Sequence, residues 1–312
     1  MISRRNIRVK VMQTLYVLAA MEPGEQEVIK KTGSDILDDK LNRSLDLFTI
    51  AILYITRIAQ YAQLDAQQRS SKYLPSEDDK HVSTKIAENE LVQRIMGNST
   101  FNAKVKDAHL EQYIDQEWVK KIYQQLIKTS QYRQYIAAEE RNSAAEKELL
   151  QFIWEKQMLE HEDLQGFFND ELPGWEDDRD MIIMLMSNFF KSNSRVNFID
   201  LISTEKREYA HALLHTVIDK EEYCMELINP KLKSWDTERV ALIDLLLLRM
   251  GLCEFLYFPT IPAKVTINEF IEIAKMYSTP QSAQFVNGVL DNILKDLQKE
   301  NKINKQERNG KS

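Results

Sequence analysis

Four side chains near the N-terminus carry the clearest chemistry in this sequence. Arg5, Arg8 and Tyr16 lie along one flank of a predicted first helix, and Arg4 lies beside them. Arginine binds phosphate through two parallel N–H groups, and tyrosine stacks on unpaired bases. This combination suits single-stranded RNA. Basic residues near a terminus are also a common solvated chain end, so the cluster alone leaves both interpretations open.

The helix that positions these residues is predicted from an apolar stripe. Its members recur at intervals of four, four and three residues, which is the spacing of a buried helix face. They are Ile7, Val11, Leu15 and Leu18. Residues 1–20 also contain four basic side chains and no acidic one, so a basic surface is compatible with an overall charge of −7.

Composition predicts an all-α protein. The 312 residues include only 8 glycines and 7 prolines, or 4.8 %, against roughly 12 % in an average protein. Sandwiches, barrels and doubly wound sheets need these residues at their many tight connections. A helical fold needs fewer, so we expect helices throughout.

The chain divides into four predicted segments. Residues 1–30 hold the first helix, and residues 31–180 form a more polar helical insertion. The insertion ends in a run of nine acids and one base between Glu160 and Asp180. Residues 181–298 are more apolar, and the basic tail 299–312 has the composition of a disordered segment. A strongly acidic segment would repel phosphate, so we expect the insertion to serve protein contacts or to screen the RNA surface.

The helices after Asp180 have clear sequence signals. Residues 240–256 are apolar on all sides apart from Asp244, Arg249 and Glu254, which predicts a central helix whose charges have partners on neighbouring helices. A capping box over 266–269 predicts a helix start at Ile267. Thr279 followed by proline predicts the start of the last helix.

The last helix has an aromatic residue off its apolar face. On a helical wheel Phe285 points about 100° from the stripe that ends at Leu297, on the side of Gln281, Gln284 and Gly288. A glycine inside a helix costs about 1 kcal/mol relative to alanine. These features predict a contact surface, although Phe285 could instead pack beneath another element.

Enzyme and metal chemistry find no support in the motifs. The sequence contains no GxGxxG, GxxxxGK[ST], HExxH or GxSxG. Two histidines four residues apart lack a third metal ligand, and the histidine in the acidic run is interpreted as part of a solvated segment. Two cysteines without CxxC spacing are explained as buried apolar residues. The residues concerned are His161, His211, His215, Cys224 and Cys253. We therefore expect no catalytic residue, cofactor or metal.

Membrane insertion and secretion are not expected either. The basic N-terminus followed by an apolar stretch is the pattern of a secretory signal, but Gln13 and Thr14 interrupt that stretch. No uninterrupted apolar run approaches the roughly 18 residues that span a bilayer. The sequence favours a cytoplasmic protein.

Several of these motifs together resemble the NusB family. The order and spacing of the motifs match, and the similarity covers roughly 1–25 and 195–297. The matching segments are Ser3 to Arg8, Gln13 to Tyr16, Asp244 to Arg249 with Glu254, Ile261 to Lys264, Ile267 to Glu269, Ile273 to Lys275, and the FVNGVLD run from Phe285 to Asp291.

The resemblance implies an all-α RNA-binding protein of two three-helix subdomains. Such proteins pair with the ribosomal protein NusE, bind boxA-like nascent RNA and help the RNA polymerase elongation complex read through terminators, notably in ribosomal RNA operons. It also implies RNA contacts for Arg4, Arg5, Arg8, Tyr16 and Phe285. We add Gln284 as an RNA-contact candidate because it lies on the same side of the last helix as Phe285. The resemblance implies nothing about the insertion, since relatives are mostly about half as long.

Departures from the family pattern keep alternatives open. Asn6 stands where relatives often have a basic residue, and Gln281 and Gln284 replace more charged ones. The second hypothesis is a protein-interaction scaffold that kept the fold without specific RNA binding. An RNA cytosine methyltransferase, some of which carry a NusB-like domain, is disfavoured because the chain has no glycine-rich cofactor loop.

Overall fold

The computed structural model of the protein describes residues 2–22, 24–73, 76, 82–191, 196–232 and 240–305. Within those ranges every regular element is helical, which confirms the predicted fold class. The α-helices are α1 (Arg4–Ala19), α2 (Gln26–Ser70), α3 (Glu90–Met96), α4 (Ser99–Asp107), α5 (Gln116–Leu126), α6 (Ser130–Ala137), α7 (Ser143–Phe152), α8 (Glu162–Glu171), α9 (Trp175–Lys191), α10 (Thr204–Asp219), α11 (Glu221–Leu232), α12 (Leu242–Tyr257), α13 (Ala263–Tyr277) and α14 (Ser282–Lys299). A 3₁₀ turn (Leu110–Tyr113) and a π-helical segment (Ile153–Leu159) complete the list.

The chain forms two compact units. One contains residues 42–201, and the other contains Ile2–Leu41 together with the chain from Ile202 onward. We call the first the inserted unit and the second the core unit. The sequence placed the limits of the insertion at 31 and 180, about eleven residues and about twenty residues earlier than those of the inserted unit. The first part of α2 belongs to the core unit, and its apolar residues Leu37 and Leu41 are fully buried.

The core unit is built around α12. This helix packs against α1, α10, α11, α13 and α14, and its residues from Leu246 to Phe255 are all buried. The all-round apolar character of residues 240–256 therefore corresponds to a central helix, as the sequence predicts. Asp244 accepts a hydrogen bond from Ser282 on α14, and Arg249 pairs with Glu221 on α11 at 2.9 Å, so both charges have the predicted partners on neighbouring helices.

Two predicted helix starts were wrong. The helix α13 begins at Ala263 after Pro262, whose fixed backbone angle suits a helix start, so Thr266 and Glu269 do not form a capping box. Thr266 is instead buried inside the helix. The last helix begins at Ser282, and Thr279 lies before it with its hydroxyl hydrogen-bonded to that of Ser282.

Several helices of the inserted unit are short, and polar capping residues mark where they begin. Asn98, Asp115, Thr129 and Asn142 each accept a hydrogen bond from a backbone N–H in the first turn of the following helix. The gly- and pro-free run over 107–141 is broken at His109, which has a positive φ of 51°. Capping residues thus divide a sequence that looks continuous by composition.

One helix is long and apolar enough to cross a membrane by length and composition. Among the described residues it is α2, and 83 % of its most apolar 18-residue window is buried inside the protein. A core helix of that length passes the same test. The predicted tail lies outside the described residues from 306 onward, while Lys305 is described and hydrogen-bonded to α12.

Candidate nucleic-acid interface

The first turn of α1 presents two arginines at a helix N-terminus. Ser3 caps the helix by accepting a hydrogen bond from the backbone N–H of Asn6, and the first turn contains no acidic residue. Positive side chains are disfavoured there because the helix dipole places partial positive charge at the same end. Arg4 and Arg5 therefore do not stabilise α1 as an isolated helix.

Both arginines are accessible and both have carboxylate partners. Each side chain is 41 % exposed. Arg4 donates through Nη2 to Glu205 on α10 at 2.6 Å, and its guanidinium lies 5.6 Å from the ring centroid of Tyr209. Arg5 donates through Nε and Nη2 to the two oxygens of Glu269 on α13, both at 2.9 Å. The hydrogen bond to Glu269 raises the pKa of Arg5, so this guanidinium stays protonated.

Arg8 occupies a different environment from its neighbours. Only 2 % of the residue is exposed, and its Nε and Nη2 donate to the carboxylate of Glu254 on α12 at 2.6 and 3.1 Å. Burial opposes the charge of the guanidinium, but the interactions with Glu254, Tyr209 and Glu269 together outweigh it and raise the pKa of Arg8. The sequence grouped Arg8 with the RNA-contacting arginines. In the structure its N–H groups face the protein interior, because this part of the flank packs against α12.

Glu254 collects a network of buried donors. Besides Arg8, two hydroxyl groups donate hydrogen bonds to Glu254. The hydroxyl of Tyr209 donates to one carboxylate oxygen, and the hydroxyl of Thr266 donates to the other at 2.8 Å. The rings of Tyr209 and Phe270 lie 5.7 and 5.8 Å from the Arg8 guanidinium. This network joins α1, α10, α12 and α13. It supports the helix from which Arg4 and Arg5 project.

Tyr16 lies far along α1 from the arginines. It is 47 % exposed, and Val17 and Met21 beside it are exposed as well. Twelve residues separate Tyr16 from Arg4, which corresponds to about 18 Å along the helix axis. A ligand that used both ends would have to extend over more than three helical turns. Tyr16 is therefore available for contact, but it does not share one compact site with Arg4.

The candidate residues of α14 differ in accessibility. Gln284 is exposed, whereas Phe285 is only 6 % exposed. The contact surface predicted from the wheel position of Phe285 is thus not offered by its ring, because α14 is packed on more than one side. Among the described residues, no hydrogen bond or ion pair links Gln284 to Arg4 or Arg5. The helix α1, which carries the arginines, and the helix α14, which carries Gln284, both pack against α13.

Sequence reasoning missed the carboxylates that complete this region. Glu205 and Glu269 come from helices far away in the chain, and Glu269 had been interpreted as part of a capping box. The only available signal was the location of Glu254 in an otherwise apolar helix. A buried charge implies a buried partner, but the sequence does not show that the partner is Arg8. No cluster of three or more potential metal ligands occurs among the described residues.

Comparisons with known proteins relate the C-terminal part of the chain to one family. The model of the NusB family matches residues 187–295. A protein from Salinibacter ruber named transcription antitermination protein NusB is 44 % identical over 99 residues, which are 32 % of this chain and 62 % of that protein. The protein of the same name from Methylacidiphilum infernorum is 40 % identical over 106 residues, or 33 % of this chain and 74 % of that protein.

A third relative gives the same picture. The protein of that name from Koribacter versatilis is 40 % identical over 101 residues, which cover 32 % of this chain and 69 % of that protein. The chain thus covers slightly less than two thirds of the Salinibacter protein and more than two thirds of the other two. No solved structure matches the chain.

Proposed function

The chain belongs to the NusB family, and we propose from that premise that it is a transcription antitermination factor that binds single-stranded RNA without catalysing a reaction. Its RNA is a boxA-like element of nascent transcripts, notably from ribosomal RNA operons. Its partners are NusE and the RNA polymerase elongation complex. It acts in the cytoplasm.

One observation carries the RNA-binding part of this proposal. Two half-exposed arginines project from the first turn of α1, where positive charge is unfavourable for the helix itself. Guanidinium groups match phosphate geometry, so an RNA ligand would be a use for these two arginines in addition to their ion pairs with Glu205 and Glu269. We assign Arg4 and Arg5 to phosphate contacts. Arg8 holds α1 in place, and Tyr16 and Gln284 are separate contact candidates.

The experiment is a salt titration of RNA binding. Binding to a boxA-like RNA and to a scrambled RNA of equal composition is measured with and without NusE. The double variant Arg4→Ala with Arg5→Ala is compared with Lys295→Ala plus Lys299→Ala, which removes two charges from exposed positions on α14. We expect the arginine variant to bind more weakly, with the salt slope reduced by at most about 0.7 for each lost phosphate contact in single-stranded RNA.

The outcome that contradicts RNA binding by this surface is specific. Equal affinities and slopes for the two double variants would show that only overall charge matters. Single variants Tyr16→Ala and Gln284→Ala, measured in the same titration, test whether base contacts extend to those residues. Equal affinity for the boxA-like and scrambled RNAs, also with NusE present, would contradict the proposed boxA specificity.

A protein-interaction scaffold is the second candidate function. The acidic run of the inserted unit supports it, because eight of its nine carboxylates are exposed and Asp178 is the buried one, bonded to Ser44. Such a surface attracts basic protein partners and repels RNA. A chain that binds no RNA in the titration above but retains a protein partner through the inserted unit would fit this candidate.

A further inference from the structure

The two arginines assigned to RNA are already bound by carboxylates from other helices. Glu205 reaches Arg4 from α10, and Glu269 reaches Arg5 from α13. All four residues belong to the core unit. The carboxylates are separated from their arginines by about two hundred residues or more in the chain, so the pairing is a product of the fold and not of local helix spacing.

The geometry of the Arg5 pair is the geometry that a phosphate would require. Two N–H groups of Arg5 donate in parallel to the two oxygens of Glu269, and a phosphate would accept from the same groups. Glu269 is itself held in place, because one of its oxygens also lies 3.7 Å from Nη1 of the buried Arg8. A phosphate can therefore reach this edge of Arg5 only by displacing the carboxylate.

We propose that Glu205 and Glu269 are competing ligands that screen the RNA-binding arginines, so that this surface binds phosphate only by exchange. The inference rests on the proposed RNA binding. Every phosphate contact then replaces one ion pair by another, and the freed carboxylate adds repulsion. The net electrostatic attraction to any RNA is reduced, and base contacts must supply the remaining affinity. The residues of the screen all belong to the core unit.

The test is to neutralise each carboxylate and measure RNA binding. Glu269→Gln keeps the shape of the side chain and removes its charge, and Glu205→Gln does the same at a largely exposed position where folding is not at risk. We expect each variant to bind boxA-like and scrambled RNA roughly threefold more tightly. The salt dependence should become steeper by up to about 0.7 per freed arginine, because no carboxylate takes up a cation when RNA binds.

Two controls separate screening from a general charge effect. Glu208→Gln removes the same charge from an exposed site one turn along α10, and no described contact joins Glu208 to α1. It should change affinity much less than Glu205→Gln. In an Arg5→Ala background, Glu269→Gln should lose most of its effect, because the carboxylate acts through Arg5. Thermal melting identifies any variant whose fold is altered.

Any one of three results overturns the inference. These are unchanged or weaker RNA binding by both carboxylate variants, an equal gain in Glu208→Gln, and a gain that persists without Arg5. Failure of the proposed function is a different result: the wild type, the carboxylate variants and the arginine variants would all fail to bind either RNA, with or without NusE.

Discussion

Three arginines within five residues have two different roles because of what packs against them. Arg4 and Arg5 lie at the open end of α1 and keep much of their surface in solvent. Arg8 lies one turn further on, where α1 packs on α12, and is enclosed with Glu254. A buried charge without its partner is costly, whereas an exposed pair contributes little. Stability and RNA binding should therefore respond to different arginines.

At the residue scale, we predict that Arg8→Ala strongly destabilises the core unit. The substitution leaves the carboxylate of Glu254 buried with only two hydroxyl donors, which should cost about 3–5 kcal/mol. Arg4→Ala removes only a surface pair and should cost less than about 1 kcal/mol. Urea unfolding followed by circular dichroism measures both. Equal effects of the two substitutions would mean that the pair between Arg8 and Glu254 does not support the fold.

At the scale of elements, the position of α12 depends on a glycine. A Cβ atom added at Gly251 would lie 3.0 Å from both terminal carbons of Leu290 on α14 and 3.4 Å from Phe270 on α13. The separation from Leu290 is tighter than ordinary van der Waals contact, and Phe270 lies at the lower limit of such contact. The helices approach this closely because the central helix has no side chain at that point.

We predict that Gly251→Ala destabilises the protein although alanine is the better helix former. Overpacking a tight contact typically costs 1–3 kcal/mol, which exceeds the roughly 1 kcal/mol that alanine contributes through helix propensity. Gly166 provides the matched control, because it is an exposed helical glycine with nothing within 4 Å of an added Cβ. Gly166→Ala should raise stability by about 0.4–1 kcal/mol. Denaturant unfolding that shows the same sign for both variants would contradict this assignment.

The chain after α14 returns to the end of α12. Lys305 donates through Nζ to the backbone carbonyls of Glu254 and Phe258 at 2.7 and 2.9 Å. Burial lowers the pKa of this lysine to about 8. The segment that follows the last helix is thus attached, at least to Lys305, to the carbonyl end of the central helix.

We predict that this contact makes stability depend on pH above neutrality. The folded protein releases the Lys305 proton near pH 8, whereas the unfolded chain keeps it until pH approaches about 10.5. The unfolded state therefore binds more protons in that window, and the contribution of Lys305 to stability should increase as pH rises through it. NMR titration of lysine side chains, with Lys305→Met used for assignment, should show one signal that titrates near pH 8. Its absence would contradict the prediction.

At the scale of the whole molecule, the division into units determines what can be removed. The first residues of α2 belong to the core unit, where a Cβ at Gly33 would lie 2.9 Å from Leu18 and His215 pairs with Ser34 at 2.7 Å. The limits 31 and 180 taken from composition would remove these contacts. A deletion with those limits would also keep the second half of α9 without the rest of the inserted unit.

We predict that replacing residues 42–201 by a flexible linker leaves a folded core unit that binds NusE and boxA-like RNA. A matched variant that replaces 31–180 should be less stable, because it removes Leu37 and Leu41 from the core while keeping the apolar residues of α9. Thermal melting compares the two. Retained folding with complete loss of RNA binding in the 42–201 variant would place the inserted unit in the binding surface.

The candidate site was only partly predictable from the sequence. The residue types and the helix that carries them follow from local spacing, which is why the sequence points to Arg4, Arg5 and Tyr16. All three are accessible in the structure. Arg8 and Phe285 were chosen on the same grounds. The sequence left the packing of Phe285 open, and it did not indicate that Arg8 is buried. A helical wheel shows which residues share a face, but it contains no information about the neighbouring helices that cover the face.

The sequence by itself determined the helical class, the family and the central position of α12. Scarcity of glycine and proline, apolar periodicity and the motif order can be read from the sequence alone, because none of them depends on which distant residues come into contact. Only the tertiary structure decided which charges meet, where the two units divide and which arginines remain open to a ligand. Those outcomes depend on contacts such as Arg8 with Glu254, 246 residues apart, whose energies come from burial and geometry that local sequence does not contain.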